Sequence, residues 1–95
     1  MAEYHYNLRG DLDIASASAV RADLRAVIAQ TDSHLLVDCA QLNFIDSTGI
    51  VVLLEVHRDL KAAGREMLIT NVSPRCTKVF DILGLDDLLR YDRAS

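Results

Sequence analysis

The sequence predicts a single-layer α/β domain, and three observations predict it. Short apolar runs or alternations at Tyr4 to Leu8, His34 to Cys39 and Glu66 to Val72 have the character of strands. Between them, apolar residues recur at helical spacing after Ser16, after Ser47 and after Ser73. Turn-forming residues punctuate the joins, at Gly10, Thr31-Asp32-Ser33, Gly64 and Gly84. The resulting order β-α-β-α-β-α-β leaves connections too short for a second domain. Its 95 residues make one unit, 51% of them apolar, enough for a core.

Tyr4, Tyr6 and Leu8 alternate onto one face of the first strand. Gly10-Asp11 marks a turn or bulge, after which Leu12 and Ile14 continue an extended segment. Ser16 or Ser18 can cap the first helix, whose inner positions are Val20, Leu24, Val27 and Ile28, with Arg21, Asp23 and Arg25 on other faces. Thr31-Asp32-Ser33 ends it. Leu35, Leu36 and Val37 are consecutive apolar residues, the pattern of a central strand covered on both faces. The second helix leaves the Asp46-Ser47-Thr48-Gly49 turn and runs to about Ala63, with Ile50, Leu53, Leu54 and Leu60 inward and Gly64 as its stop. A strand follows to Val72. Ser73-Pro74 then opens a third helix with an inner stripe of Cys76, Val79, Phe80 and Leu83. After Gly84, a short turn leads to a last strand near Leu89 to Tyr91.

Composition narrows the function. The net charge of -4 is spread along the chain and argues against nucleic acid, which favours a basic face. No uninterrupted apolar run is long enough to span a membrane, and the first residues show no export signal, so a cytoplasmic protein is expected. Cys39 and Cys76 read as buried cytosolic thiols rather than a disulfide pair. His5, His34 and His57 lack metal-ligand spacing, and no metal or other cofactor is expected.

The strand-to-helix junction at Asn43 to Leu54 holds the chemistry. Ser47 stands where a helix begins, a position suited to receiving a phosphate, but spacing alone favours Ser47 or Thr48 as an ordinary helix cap. Asp46 finds no second acid or histidine at catalytic spacing. No G-x-S-x-G elbow or phosphate-binding glycine loop is present, so an enzyme is not expected. Gly49 is assigned to close packing. Val51, Glu55 and Arg58 lie about one turn apart on the outer face of the helix, forming either a partner surface with Ser47 and Thr48 or a solvated face. Asp11 and Asp13 either contact a partner or cap the turn. Cys76, in a first turn, is a buried apolar group or a redox sensor.

Three stretches together resemble the STAS domain of bacterial anti-sigma factor antagonists: Leu8-Arg9-Gly10-Asp11-Leu12-Asp13, Leu36-Val37-Asp38 with Asn43 through Gly49, and Val72 through Leu85. The resemblance implies a mixed sheet of about four strands packed by about three helices, in one domain over residues 1–95 that is shortened at both ends. It implies partner switching: the unphosphorylated form binds an anti-sigma factor that is also a GHKL-type serine kinase, and so frees a sigma factor. That kinase, using its own ATP and magnesium, would phosphorylate Ser47 and end the complex, and a PPM-type phosphatase would reset it. Asp46, Thr48 and Gly49 would shape the acceptor turn, with Asp11 and Asp13 near the same surface. A missing first strand would favour a homodimer through the exposed sheet edge, and Leu88, Leu89 and Tyr91 would cover the core in place of a last helix. The alternatives are a STAS subunit of an ABC-type lipid transport complex and a scaffold of a stress-sensing complex.

Overall fold

The computed structural model describes residues 3–84 and 90–93. Strand β1 (Glu3–Leu12) leads to helix α1 (Ala17–Gln30), then β2 (His34–Ile45), α2 (Ser47–Ala62), β3 (Met67–Val72), α3 (Pro74–Ile82) and β4 (Arg90–Arg93). Of the turn expected over Leu85 to Arg90, all but Arg90, which opens β4, lies outside the described residues, as does the proposed cover by Leu88 and Leu89.

The strands lie side by side in chain order, β1-β2-β3-β4, and every ladder is parallel. Among the described residues the sheet is therefore all parallel, where the resemblance implied a mixed one. Each connection carries a helix, and a helical crossover returns the chain in the same direction. Right-handed crossovers that all advance the same way place the three helices on one face of the sheet. This corrects the two-sided burial expected for β2. Leu35, Val37 and Cys39 are buried, whereas His34, Leu36 and Asp38 between them are half-exposed.

One core results. It joins Leu8 and Leu12 of β1, Leu24 of α1, the buried side of β2, Ile50, Val52, Leu53, Val56 and Leu60 of α2, Met67 and Ile69 of β3, and Cys76 and Phe80 of α3. Each such aliphatic side chain contributes about 1.5–3 kcal/mol by leaving water. Tyr91 packs edge-on against Phe80 with ring centroids 4.8 Å apart, so the last strand does cover part of the core. Leu83, assigned to the inner stripe of α3, is instead half-exposed, while Thr77 is buried and donates to the carbonyls of Val72 and Ser73.

Two irregularities shape the sheet near the site. Between the pairs Asn7–Asp38 and Arg9–Gln41, β2 supplies two residues opposite Leu8, and it supplies another extra residue, Asn43, before Asp11 meets Phe44. The bulges thus belong to β2, the strand that a bulge bends. On the uncovered face, Asp38 accepts from the Ala40 N–H at 2.9 Å and the Asn71 amide at 3.1 Å. These bonds, that to Ala40 first, hold its carboxyl below the usual range. The stability it lends is therefore present above the ordinary carboxylate pKa and is lost as pH falls through the lowered value.

Cys39 and Cys76 are both buried and free. Burial, with lesser contributions from Cys76 and Asp38, pushes the Cys39 thiol up to about 12. Since the thiolate is the reactive form, a polar thiol reagent at mild pH is expected to label neither cysteine in the native protein and both once it is unfolded in denaturant. Rapid native labelling would contradict this burial.

Candidate functional site

The site is built where β1 and β2 end and α2 begins. Asp46 is extended (φ -119, ψ -174) and caps α2: its Oδ1 accepts from Thr48 N–H at 2.9 Å and Gly49 N–H at 3.2 Å. Its own N–H donates to the Leu12 carbonyl at 3.2 Å, which fastens the turn to β1. Ser47 is thus the first residue inside the helix, not its cap, and its exposed hydroxyl takes no part in the capping bonds. This removes the reading of Ser47 or Thr48 as the cap. Asp46→Ala is expected to cost about 1 kcal/mol in a urea titration, and Ser47→Ala under about 0.5 kcal/mol. Equal losses would put the cap on the wrong residue.

Gly49 explains why helix and strands meet so closely. A Cβ there would lie 2.6 Å from Leu12 Cγ, 2.7 Å from the Leu12 carbonyl oxygen and 3.0 Å from Ile45 Cγ1. The close-packing role expected of this glycine is what the structure shows.

The neighbouring wall is the turn from β1 into α1. Asp13 Oδ1 accepts from the N–H groups of Ala15 (3.0 Å) and Ser16 (3.2 Å). Ser16, at the N-cap of α1, makes no side-chain cap bond to that helix; its Oγ accepts from Asp13 N–H and donates to the Asp11 carbonyl at 2.7 Å. Asp13 therefore holds the turn, and Asp11 is left with an exposed side chain. Ile14, expected to extend the strand, stands at the tip of the turn at 81% exposure.

The outer face of α2 divides. Val51 is 48% exposed one turn beyond Ser47, and Arg58 is exposed further along. Glu55 between them is engaged by α1. It accepts from Arg21 Nε at 3.0 Å and Nη2 at 3.3 Å, and lies 3.6 Å from Arg25, which also approaches Asp59 at 3.9 Å. The pairing ties the two helices together, so of the stripe Val51, Glu55 and Arg58 only the apolar and the basic end are exposed.

Sequence reasoning did not single out two exposed apolar residues at this end of the domain. Phe44, the register partner of Asp11, is 45% exposed and, next to the buried Ile45, faces the uncovered side of the sheet, while Ile14 projects from the capped turn. The Asp13-to-Ser16 spacing, which fits a capped turn, was the available signal for Ile14. Phe44 carried none, because its exposure follows from the extra residue Asn43 in β2. Among the described residues no group of His, Cys, Asp or Glu is placed to hold a metal ion, and no helix is long and apolar enough to cross a membrane.

A sheet covered by helices on one side, with a strand-to-helix turn presenting an unengaged serine, is the arrangement of a known domain. Residues 4–94 match the family model of the STAS domain, and the chain belongs to that family. Among its relatives is the anti-sigma-B factor antagonist of Bacillus subtilis (strain 168), 30% identical over 83 residues that span 87% of this chain and 75% of that protein. The fold superimposes on the anti-sigma factor antagonist SpoIIAA in its unphosphorylated form with a TM-score of 0.78 at 27% identity, covering 95% of this chain and 79% of the other. The Bacillus cell fate determinant SpoIIAA in the phosphorylated form gives 0.70, also at 27% identity, over 95% and 82% of the two chains.

Proposed function

We propose that this chain is an anti-sigma factor antagonist that acts by binding, in the cytoplasm, and is switched at Ser47. The observation that carries the reading is the Asp46 cap. Asp46 performs the structural work of the turn, which leaves the Ser47 hydroxyl exposed and uncommitted at the start of α2. Relatives that bear the antagonist name, and a neighbour known in unphosphorylated and phosphorylated forms, support the same reading.

The unphosphorylated surface offers Ile14 and Val51 as apolar contacts, with Asp11, Ser47, Thr48 and Arg58 as polar ones. The partner is an anti-sigma factor of the GHKL serine-kinase type; binding it releases a sigma factor. The kinase brings the nucleotide and transfers a phosphoryl group to Ser47. Phosphate adds roughly -1.5 to -2 charge beside the Asp46 carboxylate, whose Oδ1 already takes two of the free N–H groups of the helix. The free protein accommodates that charge in water with help from the helix dipole. A closed interface cannot, because the dianion would be desolvated without a counter-charge. A PPM-type phosphatase restores the binding form.

Val51→Asp and Ile14→Asp test the surface. Each is expected to weaken partner binding by about tenfold or more, while thermal unfolding stays close to wild type because both side chains are exposed. Calorimetric binding unchanged in both variants would place the interface elsewhere on the domain.

A further inference from the structure

We propose that two copies of this chain pair through their β1 edges, antiparallel about a two-fold axis at Tyr6, joining the two sheets edge to edge. This inference does not depend on the switching function. β1 is an outer strand of the sheet, and among the described residues nothing pairs with its free side. It carries neither proline nor lysine, residues that commonly guard such edges. Both register shifts against β2 place their extra residue in β2, so β1 itself runs regularly from Glu3 until Gly10, where φ is +71. The regular run Glu3 to Arg9 is centred on Tyr6.

Charge and shape choose a second copy as the occupant. With the axis at Tyr6, Glu3 stands opposite the partner's Arg9 and Arg9 opposite the partner's Glu3, while His5 meets the partner's Asn7. These lie on the uncovered face of the sheet. On the helix-covered face, Tyr4 stands opposite the partner's Leu8 and Tyr6 opposite the partner's Tyr6. Leu8 is already buried in its own core, so the gain for Tyr4, 43% exposed in the single chain, is cover along the partner's strand. Moving the axis to Asn7 would set Glu3 against the partner's Asp11, and moving it to His5 would lose the pairing of Glu3 with Arg9. Because the strands are antiparallel, the two Ser47 surfaces fall at opposite ends of the joined sheet, and each stays open to its own partner.

Sedimentation equilibrium of the full chain is expected to show a monomer–dimer equilibrium that dissociates on dilution, since the contact is small. Glu3→Arg alone and Arg9→Glu alone are each expected to weaken it by roughly tenfold, and the doubly reversed chain to recover it. Both residues are exposed, and circular dichroism checks that the fold is kept. Register is read by oxidative cross-linking: a mixture of His5→Cys and Asn7→Cys chains should cross-link, and either chain alone should not. A monomer at all concentrations, a dimer indifferent to Glu3→Arg, or cross-linking of His5→Cys chains with themselves would each overturn the proposal.

Discussion

Gly49→Ala is expected to remove about 2–3 kcal/mol of stability, although alanine is by nature the better helix former. In an open helix the exchange would gain about 1 kcal/mol from propensity. Here the new methyl group would lie 2.6 Å from Leu12 Cγ and 2.7 Å from the Leu12 carbonyl. The side chain could swing away, but the carbonyl is backbone, and it also accepts the Asp46 N–H that fixes the turn. Relief therefore means shifting α2 outward or stretching that bond, and either loosens the capped turn that presents Ser47. For a domain of this size such a loss lowers the melting temperature by about 10 °C or more. Gly64 provides the contrast. A Cβ there meets open space, and Gly64→Ala is strained only by its φ of +73, a penalty of about 1 kcal/mol. Equal melting temperatures for the two variants would mean that the helix does not sit as close to β1 as described.

Ser47→Asp is the change with the largest expected effect on function. The side chain is exposed at the first helical position, where an acid gains from the dipole and loses from the neighbouring Asp46, so stability should move by under about 0.5 kcal/mol. Binding to the kinase should fall by about 100-fold or more, because an unpaired carboxylate closed into an interface costs several kcal/mol. Ser47→Ala should bind close to wild type and resist switching, since the surface keeps its shape and loses only the acceptor oxygen. Titration of all three proteins into one kinase preparation reads both effects. Wild-type affinity in Ser47→Asp would rule out charge as the switch.

Much of this was legible in the sequence, and the gaps have physical causes. Local signals were reliable. Ser73 and Pro74 open α3 as expected, with Ser73 Oγ accepting from Cys76 N–H, and Gly64 follows the end of α2 at positive φ. What depends on strand order was not legible. The parallel order 1-2-3-4 leaves one sheet face bare, which periodicity at Leu35-Leu36-Val37 could not reveal. At the site, spacing identified the Asp46 to Gly49 turn but not which of three side chains would cap it. That choice follows from the extended backbone of Asp46, held by the Leu12 carbonyl on a strand far away in sequence. For the same reason Glu55, on the outer face by helical periodicity, proves to be engaged by Arg21 and Arg25 of α1. The Arg65 guanidinium, which donates to the carbonyls of Ile28, Thr31 and Ser33 and closes the end of α1, left no sequence signal.

The most direct test of the central claim is to incubate the purified chain with a GHKL-type kinase partner and ATP, map any phosphate by mass spectrometry, and measure the complex before and after. The account predicts a single phosphate on Ser47, a complex that forms without it and is lost with it, and an unchanged fold by circular dichroism. A complex that persists with Ser47 fully phosphorylated, or a phosphate carried on Thr48 with Ser47 untouched, would contradict it.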